Sequence, residues 1–304
     1  MEKKAPQWKG VTGGHTLGQK ALKILFSVAH VRVGYFLLIF VIPFYMLFSR
    51  KGYLAIYGYF RRQHGFSPLK SFWKTYRNHF IFGQLLLDRF AVYAGQQNFF
   101  QVDNPDNDIF LAMLNDPQGC ILAGSHIGNP ELCGYLLKQQ KKRINSLIFG
   151  GEAAEVQKNR SHILESNNVR LIPVSDDLSH IFYINAALTN GEIVSMPCDR
   201  RVGSEKCVEC DFLNGKADFP IGAFVLAIQY RVPVLALFVL KISTSLYRIH
   251  VTPIPFPQDN LSKREQINEM TKTFVCELER ITKIYPEQWF NFYKFWKNEN
   301  VACP

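Results

Sequence analysis

The sequence predicts an α/β fold, a largely parallel central sheet flanked by helices, with an N-terminal membrane-associated helical segment. Three observations carry that expectation. From about residue 118 onward, short apolar runs alternate with stretches of helical period and length, the pattern of parallel strands joined by crossover helices. Ahead of them, residues 33–48 form an uncharged apolar run of 16 residues. The excess positive charge also lies upstream. Residues 1–90 hold 14 Lys/Arg against Glu2 and Asp88, whereas the remaining chain carries 21 basic and 23 acidic residues.

A chain of 304 residues has room for one large domain and an appendage. The change of pattern sets the expected boundary: residues 1–100 as a helical membrane-associated region and 101–304 as the α/β domain. Residues 1–18 are polar and Gly-rich, a loose lead-in. The run at 33–48 falls short of the roughly 20 residues that cross a bilayer comfortably, and Pro43 should kink it. Three readings stay open: a short span, a helix that dips into one leaflet, and a buried core helix. The run does not read as a signal peptide, because it starts late and ends in Ser49-Arg50-Lys51 rather than in small residues. If it spans, the basic flank that follows places the rest of the chain in the cytoplasm.

Tyr53, Tyr57, Tyr59 and Phe60, ahead of Arg61-Arg62, suit the headgroup level of a membrane, with a core-packing helix as the alternative. Trp73, Tyr76, Phe80, Leu87 and Phe90 recur near helical spacing and predict an amphipathic helix over 72–95. Beyond, strands are expected at 120–124, 146–149, 170–174, 193–198, 233–240 and 246–252. Helices are expected at 130–140, 152–166, 178–189, 221–229 and 263–284.

A basic third is compatible with nucleic acid or with anionic lipid headgroups. Because the charges flank the most apolar stretch and no nucleic-acid module accompanies them, membrane lipid is the expected partner and nucleic acid is not. Seven cysteines, an odd and scattered set, read as reduced thiols of a cytosol-facing chain. Cys207-Val208-Glu209-Cys210 lacks the second pair that a zinc knuckle needs, so two ordinary strand cysteines and no metal are expected.

In parallel sheets the reactive groups gather beyond the carboxyl ends of the strands. The strand at 120–124 runs straight into Ser125-His126-Ile127-Gly128-Asn129-Pro130-Glu131. Asn129 is a good helix N-cap and Pro130 fits the first helical position. Glu131 then falls in the first turn, from which its carboxylate is expected to fold back onto the His126 imidazole. Such a pair suits acyl transfer to a hydroxyl, a poor nucleophile until a base removes its proton; a positioned base contributes roughly 10²–10⁴-fold. The carboxylate fixes the tautomer, as in a serine-protease triad, with the substrate hydroxyl in place of the serine. A lone loop histidine is more often structural. Strand exit, small flanking residues and a helix start behind it raise this one above that reading.

With these residues in view, the chain resembles the late lipid A acyltransferases, the lauroyl/myristoyl-transferring branch of the lysophospholipid-acyltransferase-like superfamily. Residues 124–131, Gly-Ser-His-Ile-Gly-Asn-Pro-Glu, look like that family's His-x₄-Asp/Glu box. Pro197-Cys198-Asp199-Arg200-Arg201-Val202-Gly203 is similar to its second block, an Asp-Arg pair before a Gly. Asp218-Phe219-Pro220-Ile221-Gly222-Ala223 and Tyr285-Pro286-Glu287-Gln288-Trp289 resemble two further blocks. The likeness spans about residues 20–297.

It implies an enzyme on the cytoplasmic face of the inner membrane that takes acyl chains from acyl carrier protein or CoA, with no resident cofactor. It implies His126 and Glu131 as catalytic residues, and Asn129, Asp199, Arg200 and Gly203 as substrate-binding ones. Arg200 suits a phosphate on donor or acceptor; an ion pair closing a strand–loop corner is the alternative for Asp199 and Arg200. Arg160 is a further candidate for a supporting charge, with a solvated helix face as the alternative. Relatives often carry more basic residues where this chain reads Phe149-Gly150-Gly151-Glu152 and Asn291-Phe292-Tyr293-Lys294, so a less anionic hydroxylated lipid stays open as acceptor beside lipid A. Two alternatives to O-acylation also stay open: an N-acyltransferase that makes an amino-acid-derived lipid, and a catalytically silent membrane adaptor for acyl carrier protein. A hydrolase is disfavoured, because no Gly-x-Ser-x-Gly elbow occurs.

Overall fold

A computed structural model describes residues 16–136, 142–149, 164–165, 167–174, 178–201 and 206–297. At its centre is a seven-stranded sheet built from β1 (Gln101–Asp103), β2 (Cys120–Gly124), β3 (Ile144–Phe149), β4 (Val169–Val174), β5 (Ile193–Pro197), β8 (Val234–Lys241) and β9 (Leu246–Ile254). The spatial order is β1-β9-β8-β2-β5-β3-β4. From β8 to β4 all neighbours are parallel, and only the β8–β9 pair is antiparallel. Every residue of β2 and of β8 is buried, as expected of central strands covered on both faces. That is why they read as unbroken apolar runs. A separate antiparallel hairpin, β6 (Cys207–Phe212) and β7 (Gly215–Pro220), packs beside the sheet.

One face of the sheet is covered by α7 (Ser179–Thr189), α8 (Gly222–Tyr230) and α9 (Lys263–Ile284), whose apolar sides join Ile121, Val194 and Phe238 in a single core. A capping box starts α9: the Ser262 side chain accepts from Glu265 N–H, and the Glu265 carboxylate reaches back to Ser262. The other face is covered by the N-terminal helices α1 (Thr16–Val28), α2 (Val31–Phe48) and α4 (Pro68–Tyr93), while α3 (Arg50–Gly58) sends Ile56 into the first core. Their buried residues Phe26, Tyr35, Leu38, Ile42, Leu85 and Leu87 form one cluster with Leu122, Val239 and Tyr247 of the sheet.

The apolar run is therefore a helix of 18 residues that continues through Pro43. It packs antiparallel along α4: Gly34 lies under Leu87, Leu38 against Gly83, and Tyr45 beside His79. A Cβ on Gly34 would stand 2.9 Å from Leu87 Cδ1, so a side chain there would push the helices apart. Its other flank, including Phe36, Phe40, Phe44 and Phe48, is exposed. Tyr59 and Phe60 are fully buried in the core rather than at a membrane surface. A π-turn over Tyr59–Gln63 swings both rings inward, where Tyr59 meets Trp289 and Trp296.

All six expected strands are present, with ends shifted by up to two residues. Short β1, helix α5 (Asn107–Asn115) and strand β7 were not among the expected elements, whereas β6 carries the two cysteines expected on a strand. Cys207 and Cys210 both lie on β6, three positions apart and hence on opposite faces of the strand. The helix expected at 152–166 falls almost wholly outside the described residues. Helix α6 (Pro130–Leu136) is described for the first turns of the expected 130–140.

The segment after β2 is stitched between β8 and the chain's closing segment. Gly128 N–H donates to the Gln288 carbonyl at 2.8 Å and Asn129 N–H to the Val239 carbonyl at 2.7 Å. Gly128 has φ +67, and a Cβ there would sit 1.9 Å from the Val239 oxygen. Gly128→Ala is therefore expected to destabilise the fold by on the order of 3 kcal/mol, from backbone strain plus displacement of β8. Urea unfolding in detergent checks this; a variant as stable as the parent would contradict it.

Candidate active site

Strands β2 and β5 are parallel neighbours, with Gly124 opposite Pro197. Their continuations leave the sheet side by side, and Cys198 N–H donates to the Gly124 carbonyl at 2.8 Å. Two residues past the last paired positions stand His126 and Asp199. His126 Nδ1 lies 2.7 Å from Asp199 Oδ1, and the His126 backbone N–H donates to Oδ2 at 2.9 Å. The Trp289 indole N–H donates to the same Oδ2 at 3.2 Å. The carboxylate is 1% exposed and the imidazole 34%, so one ring edge is held inside while the other faces outward. With Nδ1 donating to a carboxylate, Nε2 is left with its lone pair.

Charge follows geometry. Burial alone would raise the Asp199 carboxyl, but the facing His126 and Arg200 hold it down to about 2. It is an anion throughout the physiological range. Burial and the Arg200 cation lower His126 below its ordinary 6.5, against the upward pull of Asp199. The ring is a neutral base at pH 7. The Arg200 guanidinium donates to the Phe290 carbonyl and lies 5.5 Å from the Tyr293 ring centre. Its Nε is buried and has no partner among the described residues.

The carboxylate beside the imidazole is thus Asp199, and not Glu131 as the sequence suggested. Helix α6 sends Glu131 sideways, where Oε2 lies 2.8 Å from the Arg89 guanidinium of α4. Sequence nearness favoured Glu131; strand register decides for Asp199. Asn129, expected to touch substrate, is buried, with its side chain beside the Tyr247 hydroxyl. Arg160 and Gly203 lie outside the described residues.

The closing segment is the part that sequence reasoning marked by resemblance without giving it work. Phe290 N–H donates to the His126 carbonyl at 3.0 Å, and Ile127 and Trp289 form an antiparallel bridge. Asn78 Nδ2 of α4 donates to the Glu287 and Trp289 carbonyls at 2.9 and 3.0 Å. The Asn291 side chain is buried, and neither its oxygen nor its nitrogen has a partner among the described residues. The one sequence signal for Arg89 is a charged pair, Asp88-Arg89, set between Leu85-Leu86-Leu87 and Phe90-Ala91-Val92.

At the strand exits the structure thus sets a neutral imidazole against a buried carboxylate. The family model for bacterial lipid A biosynthesis acyltransferases matches residues 95–298. The match defines an acyltransferase, an enzyme that acts on lipid acceptors, and the adaptor reading gives way to it. The chain belongs to the bacterial lipid A biosynthesis acyltransferase family. A comparison with curated proteins gave no match.

The site makes a pH prediction. A base whose pKa is lowered stays neutral to lower pH, so the acid limb of kcat/KM should fall below pH 6.5. Arg200→Gln removes a cation that lowers the His126 pKa, and the limb should move upward. A pH–rate profile whose acid limb stays put, or moves down, would show that Arg200 does not act on this imidazole.

Proposed function

We propose that the protein moves a fatty acyl group from the thioester of acyl carrier protein, or of CoA, onto a hydroxyl of a lipid A-like or other hydroxylated membrane lipid. The observation that carries this reading is the 2.7 Å contact between His126 Nδ1 and Asp199 at the ends of adjacent parallel strands. His126 Nε2 takes the acceptor's hydroxyl proton as its oxygen attacks the thioester carbonyl. Asp199 holds the tautomer and stabilises the imidazolium. The tetrahedral intermediate collapses with loss of the C–S bond, and the departing thiolate takes the proton from Nε2. The Arg200 guanidinium is the cation placed to offset the charge on the carbonyl oxygen or to hold a phosphate of either substrate. An acidic carrier protein suits the strongly basic first 90 residues.

In the same reading, α2 attaches the enzyme to the cytoplasmic face of the inner membrane without crossing the bilayer. At 1.5 Å per residue its 18 residues reach about 27 Å, near the hydrocarbon thickness of about 30 Å. Yet α4 runs along it from Leu87 to His79, and α4 also binds the site through Arg89 and Asn78. Standing α2 upright in the bilayer would carry α4, with Lys74, Arg77 and Arg89, into the hydrocarbon. Lying along one leaflet, α2 buries its exposed Phe face while Trp73 and the basic start of α4 meet headgroups.

His126→Ala should abolish transfer of labelled acyl from carrier protein to membrane lipid, and Asp199→Asn should slow it by roughly 10²–10⁴-fold with the fold intact. Undiminished turnover in either variant removes the proposed base or its partner. Lipid mass spectrometry of a deletion strain names the acceptor, an ester-linked chain supporting O-acylation and an amide contradicting it. Phe36→Asp/Phe40→Asp/Phe44→Asp should cut flotation with vesicles containing anionic phospholipid by more than about tenfold, since each ring buries about 1.5–3 kcal/mol of apolar surface. Unchanged flotation would count against attachment through α2.

A further inference from the structure

Helix α4 carries two adjacent charges inside an apolar stretch, and the two point at opposite ends of one short turn. Arg89 pairs with Glu131 at 2.8 Å. Asp88 is wholly buried. Its Oδ2 lies 2.5 Å from Lys241 Nζ and accepts the Tyr247 hydroxyl, and its Oδ1 accepts the Tyr35 hydroxyl from α2. The Tyr247 hydroxyl lies beside the Asn129 side chain. Lys241 also donates to the Thr244 carbonyl at 3.1 Å. Its backbone N–H and C=O are bridged by the Gln288 amide at 2.9 and 2.8 Å, and Gln288 accepts from Gly128 N–H. The turn on which His126 stands is therefore held from α4 directly at Glu131, and from Lys241 through Gln288 at Gly128, with Tyr247 beside Asn129.

Stability alone is a poor reason for such a pair. Burial raises the Asp88 carboxyl and lowers the Lys241 ammonium, so desolvation works against both charges. Apolar side chains of similar size often serve a core as well as a buried ion pair does. What the charges add is direction, since each hydroxyl and amide around them has one acceptable geometry.

We propose that Asp88 and Arg89 are positioning residues that hold the Asn129-Pro130-Glu131 turn from α4 and so aim His126 at the acceptor. The helical layer that bears α2 then sets turnover as well as location. The proposal rests on the reading of His126 as the base, and the test separates the two.

Full-length protein in detergent micelles is assayed with labelled dodecanoyl acyl carrier protein and the lipid extract of membranes from a strain lacking the protein, with His126→Ala alongside. Asp88→Leu/Lys241→Met removes both charges and is expected to keep a near-parental Tm. Its kcat should nonetheless fall about 10–100-fold, the scale of an ångström's misplacement, with the donor KM within about twofold. Arg89→Met should show the same split. Tyr247→Phe deletes a single oxygen and decides the matter if the double variant does not fold; its kcat should fall about tenfold. Parental kcat in a folded double variant or in Tyr247→Phe, or a loss confined to KM, overturns the positioning role. Full transfer by His126→Ala overturns the base reading instead.

Discussion

The Asp199 carboxylate is the constraint on which the rest of the site depends. It takes both the ring and the backbone N–H of His126, and it takes the indole N–H of Trp289. One buried anion thereby ties the exits of β2 and β5 to the closing segment of the chain. A buried charge is tolerable only when its lone pairs are filled by good donors. Remove one donor and the others lose their reason for being where they are. The close fit of Gly128 against β8 and the seat of Arg200 on Phe290 follow from the same packing of one loop between two walls.

Much of the fold was legible because the central strands are covered on both faces and show as continuous apolar runs. Helix α9 was expected at 263–284 and is found there. The place of His126 was legible as well, since it stands where a strand ends and a helix begins. Its partner was not. Glu131 lies close in sequence and Asp199 is 73 residues away, and only the pairing of Gly124 with Pro197 brings the latter near. Register between strands joined by a crossover is a non-local quantity, and no local pattern encodes it. Tyr59 and Phe60 escaped for a similar reason: aromatic rings beside arginines suit a headgroup layer and a core equally, and a π-turn chose the core.

The helical layer is less separable from the sheet than a boundary near residue 100 suggests. Tyr35, Leu38 and Ile42 share a cluster with Leu122 and Val239, and Tyr35 and Asp88 meet Lys241 inside it. An apolar helix with one flank on a protein and one flank bare differs from a free span, which needs lipid all round. Its bare flank is a row of exposed rings, and its packed flank is part of the enzyme's interior.

The closing segment gives the chain a temporal order. Residues 286–291 complete the wall behind His126, and they leave the ribosome after every strand of the sheet. The apolar helix emerges before either Asp199 or Trp289 has been synthesised. Segments made first fold or dock first. On the attachment proposed for α2, the nascent chain reaches the lipid surface before the contact between His126 and Asp199 can form.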